Sequence, residues 1–411
     1  MDTTRRRFVQ VAGSGAAVGL AGCIGDDGGD GDDGHDHDDH DHSHEGEGSG
    51  EAVGSEGLIY AFAPDTIAVI DPEAGDVVTE ISEEIDGAEW GDTRITSDHS
   101  RIFANEGATA QVVVIDTETR EIADRVDVGP DPTHIYNPVE GEIWTHSDAE
   151  GTFYVIDVES LDVTPVEAGL EGEGHGKLLA HEDLGTTAYA TNVIDPAVLV
   201  MDLEGRARVD EIPLEGEGGT HYKAYAPETG YAYFQRAGGP GGTAVIDTVT
   251  NEVVDALEVS GGMYITPDGT WLGVLGEDEV SFLDVTSEES EIVASVPVEG
   301  GPDALRYHEV DGTLYGFTAN TLTPDASVID LDAFEEVDRI EVGDIERPEG
   351  AEFLHRSGVA GANYFITPAD ADGTVAIVDM ESMELIAQVE VAPGVDTVQF
   401  VGDSGSGHTG Q

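Results

Sequence analysis

The segment QVVVIDTETREIADRVDV, residues 111–128, decides the fold. Its first half is a run of β-branched residues closed by Asp116, followed by four turn-forming residues and a second run that alternates apolar and charged positions. A short apolar run bounded by a polar turn reads as a buried strand, and the alternating run after it as a strand with one face in water. The same pattern recurs along the chain: IAVID at 67–71, FYVID at 153–157, VLVMD at 198–202, TAVID at 243–247, VSFLD at 280–284, ASVID at 326–330 and AIVD at 376–379. The acids Asp71, Asp116, Asp157, Asp202, Asp247, Asp284, Asp330 and Asp379 are 37 to 49 residues apart. A period of about 40–45 residues is that of a propeller blade, and far exceeds a rung of a parallel β-helix.

Each unit carries further strands. LIYAFA, RIFAN, EIWTH, TAYATN, YAYFQ and NYFIT precede the acid-terminated runs, and short segments such as KAYAPETG and MYITPDG lie between units. Four strands per unit, rich in Val, Ile and Tyr and separated by turn residues, make a blade. The first unit begins at LIYAFA without an innermost strand of its own, and residues 395–401 (VDTVQFV) are left over at the other end. Joining the two in one blade removes the open edges of the array. The sequence therefore predicts an all-β, eight-bladed propeller over residues 57–403, with a short tail at 404–411. Seven blades is the alternative if one unit is degenerate.

The composition restricts what such a scaffold can bind. Sixteen basic residues against 87 acidic ones give a formal net charge of −71. No basic stripe can replace phosphate counterions, so nucleic acid is excluded as a partner. Such a surface repels itself in dilute buffer, whereas in molar salt the Debye length is about 3 Å and the repulsion is screened. The composition points to a haloarchaeal protein.

Residues 1–23 read as an address. Arg5-Arg6-Arg7-Phe8-Val9 opens a weakly apolar stretch that ends Leu20-Ala21-Gly22-Cys23. This resembles a twin-arginine export signal with a lipobox. Cys23, the chain's one cysteine, is the expected lipid attachment point, anchoring a monomer at the outer face of the cytoplasmic membrane. Residues 24–56 are Gly, Asp, Glu, Ser and His with almost nothing to bury, and are expected to be disordered. A linker of about 30 flexible residues spans roughly 30 Å.

Two sets of residues have metal-ligand chemistry. His35, His37, His40, His42 and His44 fall within ten residues and are interleaved with aspartates. Neutral imidazole suits zinc, copper or nickel, and neighbouring carboxylates raise local cation density. The alternative is a solvated acidic linker. The second set emerges when innermost strands are aligned on Gly141, Gly185, Gly230, Gly312 and Gly358. Their leading ends then carry His134 (PDPTHIY), His175 (EGEGHGK) and His221 (EGGTHYK), with Asp303, Glu349 and Asp396 at the corresponding places in other units. These residues are expected to ring one mouth of the channel as a metal site, with His146 or His181 able to substitute. They could instead merely hydrate a tunnel. His99, His308 and His355 read as surface residues. Binding through free imidazole is expected to weaken as pH falls through about 6.5.

No CxxCH, GxSxG or P-loop pattern is present, and no carboxylate pair stands out as an acid and base.

The recurring VID unit resembles the YVTN-type propellers and, more loosely, the haem d1-binding propeller of nitrite reductases. Together with the His-rich tract and the three strand-leading histidines, it is similar to the AztD family of periplasmic zinc chaperones. That resemblance implies an eight-bladed propeller that binds zinc and delivers it to the solute-binding protein of an ABC transporter, and no catalysis. A lipid-anchored cysteine and extreme acidity depart from that family. The alternatives are a surface propeller recognising protein or glycan, and an oxidoreductase holding haem or a quinone.

Overall fold

The computed structural model describes residues 56–402 apart from 171, 239–240 and 350–353. The signal, Cys23, the His35–His44 tract and the tail at 404–411 lie outside the described residues. Eight four-stranded antiparallel sheets form an eight-bladed β-propeller. Counted from the N-terminus, the innermost strands are Thr397–Phe400 in blade 1, Trp90–Ile95 in blade 2, Pro132–Val139 in blade 3 and Leu178–Leu179 in blade 4. Gly219–Ala226, Gly262–Ile265, Pro302–Val310 and Val359–Gly361 fill that place in blades 5 to 8.

The eight acids are turn residues. Each ends the third strand of its blade, and for all but Asp202 its side chain caps the turn to the outermost strand. Asp71 Oδ1 accepts from the amides of Glu73 and Ala74, Asp157 Oδ1 from Glu159 and Ser160, Asp330 Oδ1 from Asp332 and Ala333, and Asp379 Oδ1 from Glu381 and Ser382. Aspartate is favoured there because its carboxylate satisfies amides that the turn leaves without strand partners. The most repeated motif of the sequence is thus structural.

Burial follows the layering. The third strand of blade 2, Gln111–Asp116, has four consecutive buried residues, because neighbouring blades cover both of its faces. The outermost strand Glu335–Glu341 instead exposes most of its side chains. Cores form between adjacent blades: Ile59, Ala61 and Val398 of blade 1 pack on Ile366 and Ile377 of blade 8. Each Ile or Val side chain so buried contributes about 1.5–3 kcal/mol.

Blade 1 closes the ring. Its innermost strand pairs Phe400 with Ile59 and Thr397 with Phe62, and the amides of Gly57 and Val401 bond across the same seam to Val401 and Leu58 carbonyls at 2.6 and 2.9 Å.

Candidate metal centre

Blades 2, 3 and 5 share a device that the sequence hides. The innermost strands of blades 2, 3 and 5 each slip register near their leading ends, between Trp90 and Thr93, between Pro132 and Ile135, and between Thr220 and Lys223. Each slip is a β-bulge, which leaves two residues opposite one and re-aims a side chain out of the ladder. The bulged pairs are Gly91 and Asp92, Thr133 and His134, and His221 and Tyr222. Gly91 lets blade 2 close on blade 3, since a Cβ there would lie 2.9 Å from the Thr133 carbonyl oxygen.

Blade 4 supplies its donor differently. Its innermost strand is only two residues long, and His175 lies in the extended segment ahead of it. Backbone bonds hold that segment against the next strand: Thr191 N donates to Lys177 O and Val193 N to His175 O, both at 2.9 Å. Gly176 permits the approach, because a Cβ there would sit 2.1 Å from Thr191 O and 3.1 Å from His146 Nε2.

The result is a buried tri-histidine cluster. His134, His175 and His221 are 0, 3 and 1 % exposed. His175 Nε2 lies 3.0 Å from His134 Nε2 and 2.9 Å from His221 Nε2. Among the described residues, these three form the group of His, Cys, Asp or Glu whose ligand atoms all fall within 4.8 Å of one another. Carboxylates set two of the tautomers. His134 Nδ1 is 2.7 Å from Asp92 Oδ2 and His175 Nδ1 is 2.6 Å from Asp148 Oδ2, while the other Asp148 oxygen meets His146 Nδ1 at 2.9 Å. A proton on each of those Nδ1 atoms leaves the Nε2 lone pairs facing one another.

Electrostatics keep the cluster neutral. Burial first, then the Lys177 ammonium and the other histidines, pushes His134 well below the usual histidine range. Burial, His175, Lys177 and Lys223 do the same to His221. Burial also lowers His175, against the opposing pull of Asp148. For Asp148, burial opposes the charge, but the bonds from His146 and His175 outweigh it and hold the carboxyl well below the ordinary carboxylate range. The expected loss of binding through pH 6.5 is therefore displaced to more acid pH, because burial resists protonation of the donors.

Neutral imidazoles with aligned lone pairs and carboxylate-fixed tautomers are what a borderline-soft divalent ion requires. A tetrahedral Zn–N distance of about 2.0–2.1 Å sets donors about 3.3 Å apart. The two pairs that share His175 need only a few tenths of an ångström of expansion to meet it, the His134 and His221 donors lie within 4.8 Å of each other, and three protein donors leave one position open.

The carboxylates expected beside the histidines are elsewhere. Asp303 occupies the corresponding bulge of blade 7, but its Oδ2 binds His355 Nδ1 at 2.6 Å and the Arg356 amide at 2.7 Å. Asp396 precedes the innermost strand of blade 1. Its surface is open to solvent, yet the protein crowding it raises its carboxyl to about 6. Glu349 is exposed ahead of blade 8. Alignment alone brings all three to strand-leading positions, but blades 7, 8 and 1 lie around the ring from blades 3 to 5. His146 stands behind the triad on Asp148, and His181 caps the short turn Glu182–Leu184. His308 is buried within its strand, and His355 is held by Asp303; neither is the free surface residue its position suggested. His99 does sit at a turn, with φ of 56°. Asp92, Asp148 and Lys177 were missed. Asp92 could have been found by extending the strand alignment to blade 2, whereas nothing in the sequence singles out Asp148.

The arrangement defines a propeller with a buried three-nitrogen centre at the leading ends of consecutive inner strands. No family profile and no curated protein matches the sequence. Among solved structures, Citrobacter koseri AztD is similar at a TM-score of 0.63 and 16 % identity, covering 85 % of this chain and 98 % of that one. Its apo form gives 0.62 and 15 %, covering 83 % and 96 %. The dihydro-haem d1 dehydrogenase NirN in complex with DHE gives 0.67 and 13 %, covering 85 % and 76 %. At these identities the likeness is one of fold.

Proposed function

We propose that the protein is an extracellular, non-catalytic metal chaperone whose cargo is zinc. The observation that carries this reading is the convergence of three buried imidazole nitrogens within bonding reach of one ion. The likeness to AztD supports zinc and points to the solute-binding protein of a metal ABC transporter as the recipient. His134, His175 and His221 bind the ion, Asp92 and Asp148 orient two of them, and the open fourth position is where a recipient's ligand begins exchange. The His35–His44 tract captures ions, and tethering it to the propeller makes delivery to the triad intramolecular, at an effective concentration of around millimolar. Cys23 carries the lipid that holds the protein at the membrane.

Calorimetric zinc titration tests this on the full chain, a form lacking residues 24–56, and His175→Ala/His221→Ala. The reading predicts one tight site that survives removal of the tract and is lost in the double variant. A tight site that persists in the double variant would refute it. The NirN likeness favours a second reading, a redox propeller with a bound tetrapyrrole. Against it, the triad is too enclosed for a flat macrocycle to reach its nitrogens. A visible absorption band in the purified protein would revive it.

A further inference from the structure

The chain contains only two lysines, Lys177 and Lys223. Each stands two residues after a histidine of the triad, and each is buried, at 3 and 4 % exposure. An acidic surface offers many places for a lysine, yet both are inside, where they add positive charge beside a cation site. Lys177 Nζ lies 3.4 Å from His134 Nδ1 and 5.7 Å from the centre of the Tyr222 ring. Lys223 Nζ lies 5.6 Å from the centre of the Tyr136 ring, so it reaches from blade 5 to blade 3. The pairing of His175 with Lys177 and of His221 with Lys223 places both ammonium groups around one centre.

Formal charge makes the consequence definite. Asp92 and Asp148 offset Lys177 and Lys223 in formal charge, so the charge of these four side chains sums to zero. A divalent ion raises it to plus two in an enclosed place, where uncompensated charge is costly. Three histidines also leave a fourth position to fill.

We propose that the triad takes its ion together with a small monovalent anion, which occupies the fourth position in the field of Lys177 and Lys223. This rests on the reading of the triad as a metal site. The anion is a halide or a carboxylate, and a carboxylate can be a free acid or an Asp or Glu of the recipient. The exchange is a substitution without redox change: the outgoing anion leaves with its electron pair, and the incoming ligand donates its own. Once the anion departs, the charge of the ion is no longer offset beside Lys177 and Lys223, which favours its release.

The test is zinc calorimetry on the full chain in sodium methanesulfonate, then with that salt replaced by chloride or by formate at the same ionic strength. Chloride or formate should tighten zinc binding, with a coupling of about 5–150-fold, and by reciprocity zinc should tighten the anion equally. Lys177→Met/Lys223→Met should erase the difference between salts, whereas Lys177→Arg should retain it. If the double variant does not fold, the wild-type protein loaded with Co²⁺ gives the answer, because an anion entering the first coordination sphere changes its visible bands. A response to chloride alone makes the co-ligand a halide, a response to formate alone makes it a carboxylate, and a response to both opens the position to either. One-to-one zinc binding of equal affinity in all three salts, with an unchanged Co²⁺ spectrum, overturns the proposal and leaves the metal site standing. Absence of one-to-one binding in every salt overturns the metal reading itself.

Discussion

Asp148 holds two histidines with its two oxygens, His175 directly at the centre and His146 behind it. Replacing it by Asn keeps the shape but removes the charge that fixes the His175 tautomer. Asp148→Asn should weaken zinc binding about 10–100-fold, as loss of an outer-shell carboxylate does, and competition against a chromogenic chelator will measure it. The lowered titration of the triad gives a second expectation. In the unfolded chain these histidines take up protons near pH 6.5, whereas in the fold they stay neutral to more acid pH. The unfolded state therefore binds more protons below about 6.5, so stability is full above that pH and is lost as pH falls towards the folded values. Thermal melts of the metal-free protein should show this decline, while zinc affinity should stay level from pH 7.5 to below 6.5. The three donors were legible because histidines at matched positions of successive units have no other obvious use. Their carboxylate partners were not, because one Asp among 87 acidic residues carries no signal of its own.

Bulges and turns divide the labour within each blade. The turn aspartates recur and so announce the architecture, whereas the bulges that aim Asp92, His134 and His221 have no fixed sequence signature. A two-for-one slip also brings unlike positions together: His221 is the first bulged residue of its strand and His134 the second, yet both reach the same centre. Blade 4 has no such bulge and depends on glycine. Gly176→Ala would drive its Cβ into the Thr191 carbonyl and against His146, forcing His175 out of line. This variant should remain folded, since the blade cores lie elsewhere, but lose zinc affinity at least as severely as Asp148→Asn. Circular dichroism and calorimetry on the same sample will separate the two effects. Equal zinc affinity in the variant would show that His175 does not depend on this close approach.

The ring as a whole was readable from its period and from the unpaired run at its C-terminus, because both follow from counting strands. Its surface charge was readable too, and it sets a condition on stability. With a formal charge of −71, self-repulsion is screened only as the Debye length shrinks, to about 3 Å at 1 M salt. The melting temperature should therefore rise steeply between dilute and molar sodium chloride, and scanning calorimetry will follow it; a flat response would mean the acids are not repelling one another. The seam in blade 1 carries a different implication. Because Ile59 and Phe400 are neighbours in one sheet, the backbone of the propeller already runs almost full circle. Joining the two ends and opening the chain at any loop between blades yields a circular permutant with the same contacts. A cut between blades 4 and 5 would put His175 and His221 at opposite ends of the polypeptide, and the three nitrogens would still meet.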